Sequence, residues 1–282
     1  PKVVLVENVK GLLRRSFATY FHYIYLQLSF PEILPKEDET WIDHLARLEK
    51  HHTGGHWQEP YYHVVPRLVN AADYGVPQRR ERVIIVAFRN DLHREWSFPE
   101  PTHSQDALLY SQWVSGEYWD RHRVAKKNRP ELSPRLASRI AALKSGAIEL
   151  TGQPWLTVRD AIADLPDPTK KDWSTQIPNH RHNPGARSYK GHTGSPLDEP
   201  AKTLKAGDHG VPGGENTLAY PDGSVRYFTV RESARLQTFP DSYVFHGSWT
   251  ESMRQLGNAV PVTLGRVTAS EIARILRDAG AA

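Results

Sequence analysis

Apolar residues gather along this chain into two kinds of run. Val3-Val4-Leu5-Val6 and Val83-Ile84-Ile85-Val86-Ala87 are short continuous blocks, the pattern of strands covered on both faces. Other apolar positions spread over longer stretches, predicting helices from about Leu12 to Leu28 and from about Glu39 to Lys50, with Pro31 and Pro35 between them. Tyr61 to Asn70 and Arg82 to Phe88 read as two strands flanking the turn Asp73-Tyr74-Gly75-Val76-Pro77. Strand alternating with helix predicts an α/β fold with a doubly wound sheet. In such a sheet the block at Val3 is a parallel strand with neighbours on both sides. An independent domain is therefore not expected to start there.

From Asn90 to Arg226 the pattern loosens into prolines, glycines, tryptophans and charges around two short helices. One has Ser133 as cap, Pro134 in the first turn and Gly146 past its end. The other opens at Thr157, with Asp160 completing a capping box. A long irregular stretch of this kind carries recognition more often than scaffold. Regular pattern returns at Thr229-Val230-Arg231-Glu232, a second capping box opening a helix through Gln237, and from Pro261 to Asp278, an amphipathic C-terminal helix.

Composition refines this picture modestly. The 282 residues are 39% hydrophobic with eight tryptophans, enough for a packed core, while a mean hydropathy of −0.58 points to long exposed segments. A formal charge of +4 fits a nucleic-acid partner without requiring one. Between Arg121 and Lys144 eight basic residues face a single acid, Glu131. That run is either a solvated helix face or a phosphate-tracking surface. There is no cysteine, which excludes disulfides and thiolate zinc sites. No apolar run approaches the ~20 residues of a membrane span, and no signal-peptide pattern opens the sequence. A soluble cytoplasmic protein is expected. His51-His52-Thr53-Gly54-Gly55-His56 reads as a turn or loop, without the spacing of a metal site.

Three places offer chemistry. Glu7 stands at the C-terminal end of the first strand, where open α/β sheets bind ligands; it is a candidate acid or an ordinary loop residue, and Asn8 beside it is a common turn residue. Gln78, Arg80 and Arg82 alternate before a strand and share one face if extended. They form either a site for a phosphate, base oxygen or carboxylate, or a surface ladder paired with Glu81. Asn258 lies in a small-residue turn before the last helix, as a ligand contact or a plain helix start.

In combination and order these segments are specific. Val3 to Val9, with Glu7-Asn8-Val9, resembles the Glu-Asn-Val strand and loop of the DNA cytosine-5 methyltransferases. Asn70 to Ala87 (NAADYGVPQRRERVIIVA) resembles that family's eighth motif, Arg226 to Phe245 the ninth, and Arg254 to Val262 (RQLGNAVPV) the tenth. Asp198 to Leu204 is a weaker match to a segment late in the recognition domain. The family's glycine-rich cofactor loop and Pro-Cys loop have no counterpart in these residues.

The resemblance implies the C-terminal part of a doubly wound S-adenosylmethionine-dependent methyltransferase sheet, plus a smaller, irregular target recognition domain. Residues 1–91 would be the second half of the catalytic domain, 92–250 the recognition domain and 251–282 a segment returning to the catalytic domain. It implies that a cytosine flipped from duplex DNA is attacked by a cysteine thiolate from an N-terminal half, either a separate subunit or a missing segment. Glu7 would hold ring N3 and the exocyclic amine as general acid. Arg82 would contact the base oxygen, and Arg80 would be a second pocket or phosphate arginine. Asn8 and Gln78 would shape their loops or contact DNA. Asn258 and Val260 would line the pocket for S-adenosylmethionine. Association with the nucleoid, if the host is bacterial, and with restriction-modification also follows. The rival readings are a non-catalytic DNA-binding module derived from the family and an RNA-directed member of it.

Overall fold

The computed structural model describes residues 1–55, 57, 60–189, 193–206 and 216–280. The chain divides into two compact units: residues 1–69, 81–99 and 267–282 form the first, and 70–80 with 100–266 form the second. This division differs from a simple succession of segments. The turn at 70–80 and most of the C-terminal approach, 251–266, group with the second unit.

The first unit is built on three strands. Strand β1 covers Val3–Val9. Two 3-10 turns, at Lys10–Leu13 and Arg15–Phe17, lead into helix α1, Ala18–Ser29. Helix α2, Trp41–Gly54, is capped by Thr40, whose hydroxyl accepts from Asp43 N at 3.2 Å. Strands β2, Tyr62–Asn70, and β3, Glu81–Arg89, complete a sheet in the order β1-β3-β2. Seven of the nine residues of β3 are buried in one unbroken run, which explains its continuous apolar sequence: it is the central strand. Val4 and Val6 join Val83, Ile85 and Ala87 on one face, packed by Phe21, Ile24, Tyr25 and Leu28 of the α1 helix.

Three expectations need correction here. β1 pairs with β3 antiparallel, not parallel, from Val3 opposite Phe88 to Val9 opposite Arg82. Its other edge has no strand among the described residues, and Leu5 is 46% exposed. The strand also runs through Glu7 and Asn8, because β3 supplies partners that far, so these two residues are not in a loop. Lastly, His51 to Gly54 continue α2, which ends where Gly55 takes a left-handed φ of 71°. His51 and His52 pack against the Phe30 ring there; His56 lies outside the described residues.

The second unit holds short elements around several small cores. In order these are β4 (His103–Ser104), α3 (Gln105–Trp113), α4 (Glu117–Arg121), α5 (Pro134–Lys144), β5 (Gln153–Pro154) and α6 (Val158–Ile162). There follow β6 (Ser195–Pro196), β7 (Thr217–Ala219), β8 (Val225–Tyr227), α7 (Val230–Leu236) and α8 (Trp249–Asn258). Helix α9, Val262–Asp278, begins in this unit and ends in the first. Both predicted capping boxes form. Thr157 N donates to Asp160 at 2.8 Å and Thr229 N to Glu232 at 2.8 Å, with each threonine hydroxyl accepting in return. Ser133 caps α5 by position only, without a side-chain bond.

Candidate active site

Glu7 and Arg82 come together because of the antiparallel register. Glu7 faces Ile84 across the pair, and Arg82 is two residues from Ile84 on the same face. Such diagonal neighbours are within reach of long side chains. Arg82 Nε lies 2.7 Å from Glu7 Oε1, with the two side chains 10% and 25% exposed. The Arg82 Nη1 group also donates to Glu81 O at 2.8 Å. Burial pulls the Arg82 guanidinium below its ordinary pKa, and the charge and bond of Glu7 oppose that pull; an arginine stays protonated in either case. Beside the pair, Lys10 Nζ reaches both oxygens of Glu81 at 3.0 and 2.8 Å. Asn8 Oδ1 accepts from Val9 N at 2.8 Å and so shapes the backbone next to Glu7.

A carboxyl group held by a guanidinium at the end of a strand offers a defined set of bonds. The carboxylate accepts from an amine, its protonated form donates to a ring nitrogen, and the guanidinium donates to a carbonyl oxygen.

Gln78, expected to shape its loop or contact DNA, and Arg80, expected as a second pocket or phosphate arginine, are both turned inward. Both are fully buried within the second unit. Their alternation is present, but their shared face is turned inward, because this segment pairs with the chain near Ala201. Arg79 N donates to Ala201 O at 2.8 Å and Ala201 N to Pro77 O at 2.9 Å. Gln78 Nε2 donates to Leu236 O and its Oε1 accepts from Leu204 N. The Arg80 guanidinium donates to backbone carbonyls of Leu204, Gly257 and Ala259. Side chains so enclosed present no polar group to DNA. Arg79 between them is exposed instead and pairs with Glu199 at 3.1 Å.

Asn258 is the last residue of α8, not part of the turn, which is Ala259-Val260-Pro261. Its side chain is exposed and Val260 is half-buried. Helix α8 was not predicted, although Ser248 with Glu251 carries the signal of a third capping box, which the structure forms. Of the basic run, Arg121 and Arg139 pair with Asp160 and Asp106, whereas Arg123, Lys126 and Lys127 are exposed. Among the described residues no helix is long and apolar enough to cross a membrane, and no three His, Asp or Glu side chains gather as for a metal ion.

The chain is similar to several known proteins. Residues 55–274 match the family model of the C-5 cytosine-specific DNA methylases. Among curated relatives, the type II methyltransferase M.NgoFVII of Neisseria gonorrhoeae is 34% identical over 93% of this chain and 55% of its own length. M.BspRI of Lysinibacillus sphaericus is 31% identical over 99% and 52%. The chain thus spans about half the length of these relatives. A solved structure of a prophage-encoded DNA modification methyltransferase from E. coli aligns over 98% of this chain and 70% of its own, at 18% identity and a TM-score of 0.49.

Proposed function

Because the chain belongs to the C-5 cytosine-specific DNA methylase family, we propose that it is the C-terminal part of a DNA cytosine-5 methyltransferase. It acts on a cytosine in duplex DNA, with a segment carrying the cysteine nucleophile and the glycine-rich loop as its necessary partner. The observation that carries this reading is the Glu7–Arg82 ion pair at 2.7 Å. A cytosine edge carries an oxygen, a ring nitrogen and an exocyclic amine in a row. Arg82 donates to the oxygen, and Glu7 holds the nitrogen and the amine. When a thiolate adds to C6, the ring electrons displaced toward N3 meet the proton that Glu7 delivers there, so negative charge does not accumulate in the ring. The base reaches such a pair only when flipped out of the stack.

The cofactor contacts are assigned to Asn258 and Val260. The exposed Asn258 amide and the half-buried Val260 stand two residues apart where α8 ends. Asn258 and Val260 would hold S-adenosylmethionine, which when bound would supply the methyl group for C5. The exposed Arg123, Lys126 and Lys127 follow DNA phosphates, which contribute affinity without sequence preference.

Arg82→Lys tests the role of the fork. Lysine keeps the charge but loses the planar donor set. In an enzyme reconstituted with the N-terminal segment, kcat/KM for DNA is expected to fall about 10- to 100-fold, the equivalent of the ~1.5–3 kcal/mol of a hydrogen bond to a charged group. Wild-type kinetics in that variant would remove Arg82 from the base pocket.

A further inference from the structure

The buried guanidinium of Arg80 lies at a helix terminus. The last carbonyls of an α-helix lack intrahelical partners and carry its negative dipole end. At the end of α8, Arg80 Nη2 donates to Gly257 O at 2.8 Å and to Ala259 O at 2.7 Å, the carbonyls on either side of Asn258. Its Nη1 donates to Leu204 O at 3.1 Å. Gln237 Nε2 takes the Leu256 carbonyl at 2.6 Å. On the far side of the turn, Val262 N donates to Gln237 O at 3.0 Å and Thr263 N to Thr238 Oγ1 at 2.9 Å. Thr238 holds a left-handed φ of 58° to do so, a conformation unfavourable for a β-branched residue.

The packing admits little slack. A Cβ on Gly257 would stand 2.3 Å from Ala206 N and 2.5 Å from Lys205 C, so α8 lies directly against the 204–206 backbone. Arg80 bridges those two segments at that point. The result is an exposed Asn258 side chain carried on a backbone that is fastened before and after it.

We infer that Arg80 is a positioning residue for the cofactor wall: its fork fastens the 257–259 backbone to the 204–206 segment and so sets where Asn258 and Val260 stand. This rests on the reading of those two residues as holding S-adenosylmethionine. It replaces a direct role for Arg80 at the base or the phosphates, which its burial precludes. Lysine, whose three donors radiate from one nitrogen rather than from a rigid planar fork, cannot span the same three carbonyls.

The test has two readouts. In this chain, Arg80→Lys is expected to speed amide exchange in peptides covering 204–206 and 257–263, with β1 and β3 unchanged. In the reconstituted enzyme, KM for S-adenosylmethionine is expected to rise about tenfold with kcat within about threefold, the pattern of lost uniform binding. Arg80→Met, similar in length and without a buried charge, should give the same exchange pattern and covers the case that the lysine variant does not fold. Asn258→Ala serves as the reference and should raise the same KM. Unchanged exchange in both Arg80 variants overturns the proposal. So does a raised KM in Asn258→Ala with a normal one in Arg80→Lys. A normal KM in Asn258→Ala itself removes the cofactor reading, and the positioning role with it.

Discussion

Glu7→Gln is expected to lower methyl transfer by the reconstituted enzyme by about 10²- to 10⁴-fold, the usual contribution of a positioned general acid. Glutamine preserves the shape of the side chain and an oxygen that accepts from the exocyclic amine. It cannot deliver a proton to N3, and it removes the negative partner that sits 2.7 Å from Arg82 Nε. The loss should therefore fall on the chemical step. DNA affinity, carried largely by phosphate contacts, should change no more than about threefold. The measurement is single-turnover methyl transfer to duplex DNA, beside equilibrium binding at the same salt. A variant that keeps the wild-type rate would take Glu7 out of the mechanism. Loss of rate and DNA binding together would make Glu7 a residue that holds the pocket's shape.

The second large effect concerns stability. Arg226 and Glu232 form a bidentate pair at 2.7 and 2.6 Å, with side chains only 9% and 2% exposed. Burial alone would pull the Arg226 pKa down, but the bond to Glu232 and its charge outweigh burial and raise it. Glu232 also accepts from Thr229 N at 2.8 Å, so the same carboxylate closes the α7 capping box. Removing one partner strands the other as a buried charge, which costs about 3–5 kcal/mol. Glu232→Ala is thus expected to lower the urea midpoint of the second unit by the equivalent of that energy, with little change in the first. A loss below about 1 kcal/mol, the scale of exposed pairs, would show that the pair is not what secures α7.

These cases also show which features local sequence can reveal. Capping boxes are legible because three or four consecutive residues decide them: Thr157 with Asp160 and Thr229 with Glu232 read directly, and Ser248 with Glu251 carried the same signal. The β3 run was legible because a central strand is apolar on both faces. The antiparallel pairing of β1 was not. An apolar block at Val3 to Val6 states only that faces are covered, and the direction of its neighbour is set by a strand some 80 residues away. Glu7 and Arg82 were each visible as candidates, yet only the register opposite Ile84 brings them together. Gln78 and Arg80 mark the opposite limit. Alternation correctly put them on one face, but which way that face turns depends on Ala201, Leu204 and the end of α8, partners more than a hundred residues downstream.

The deciding measurement is methyl transfer from labelled S-adenosylmethionine to duplex DNA, made for this chain alone and after addition of an N-terminal methyltransferase segment carrying the glycine-rich and Pro-Cys loops. The chain alone is expected to transfer nothing; transfer is expected to appear with the added segment and to disappear again when its cysteine is replaced by alanine. Methylation by the pure chain alone, or none in the mixture despite intact DNA binding, would contradict the proposed function.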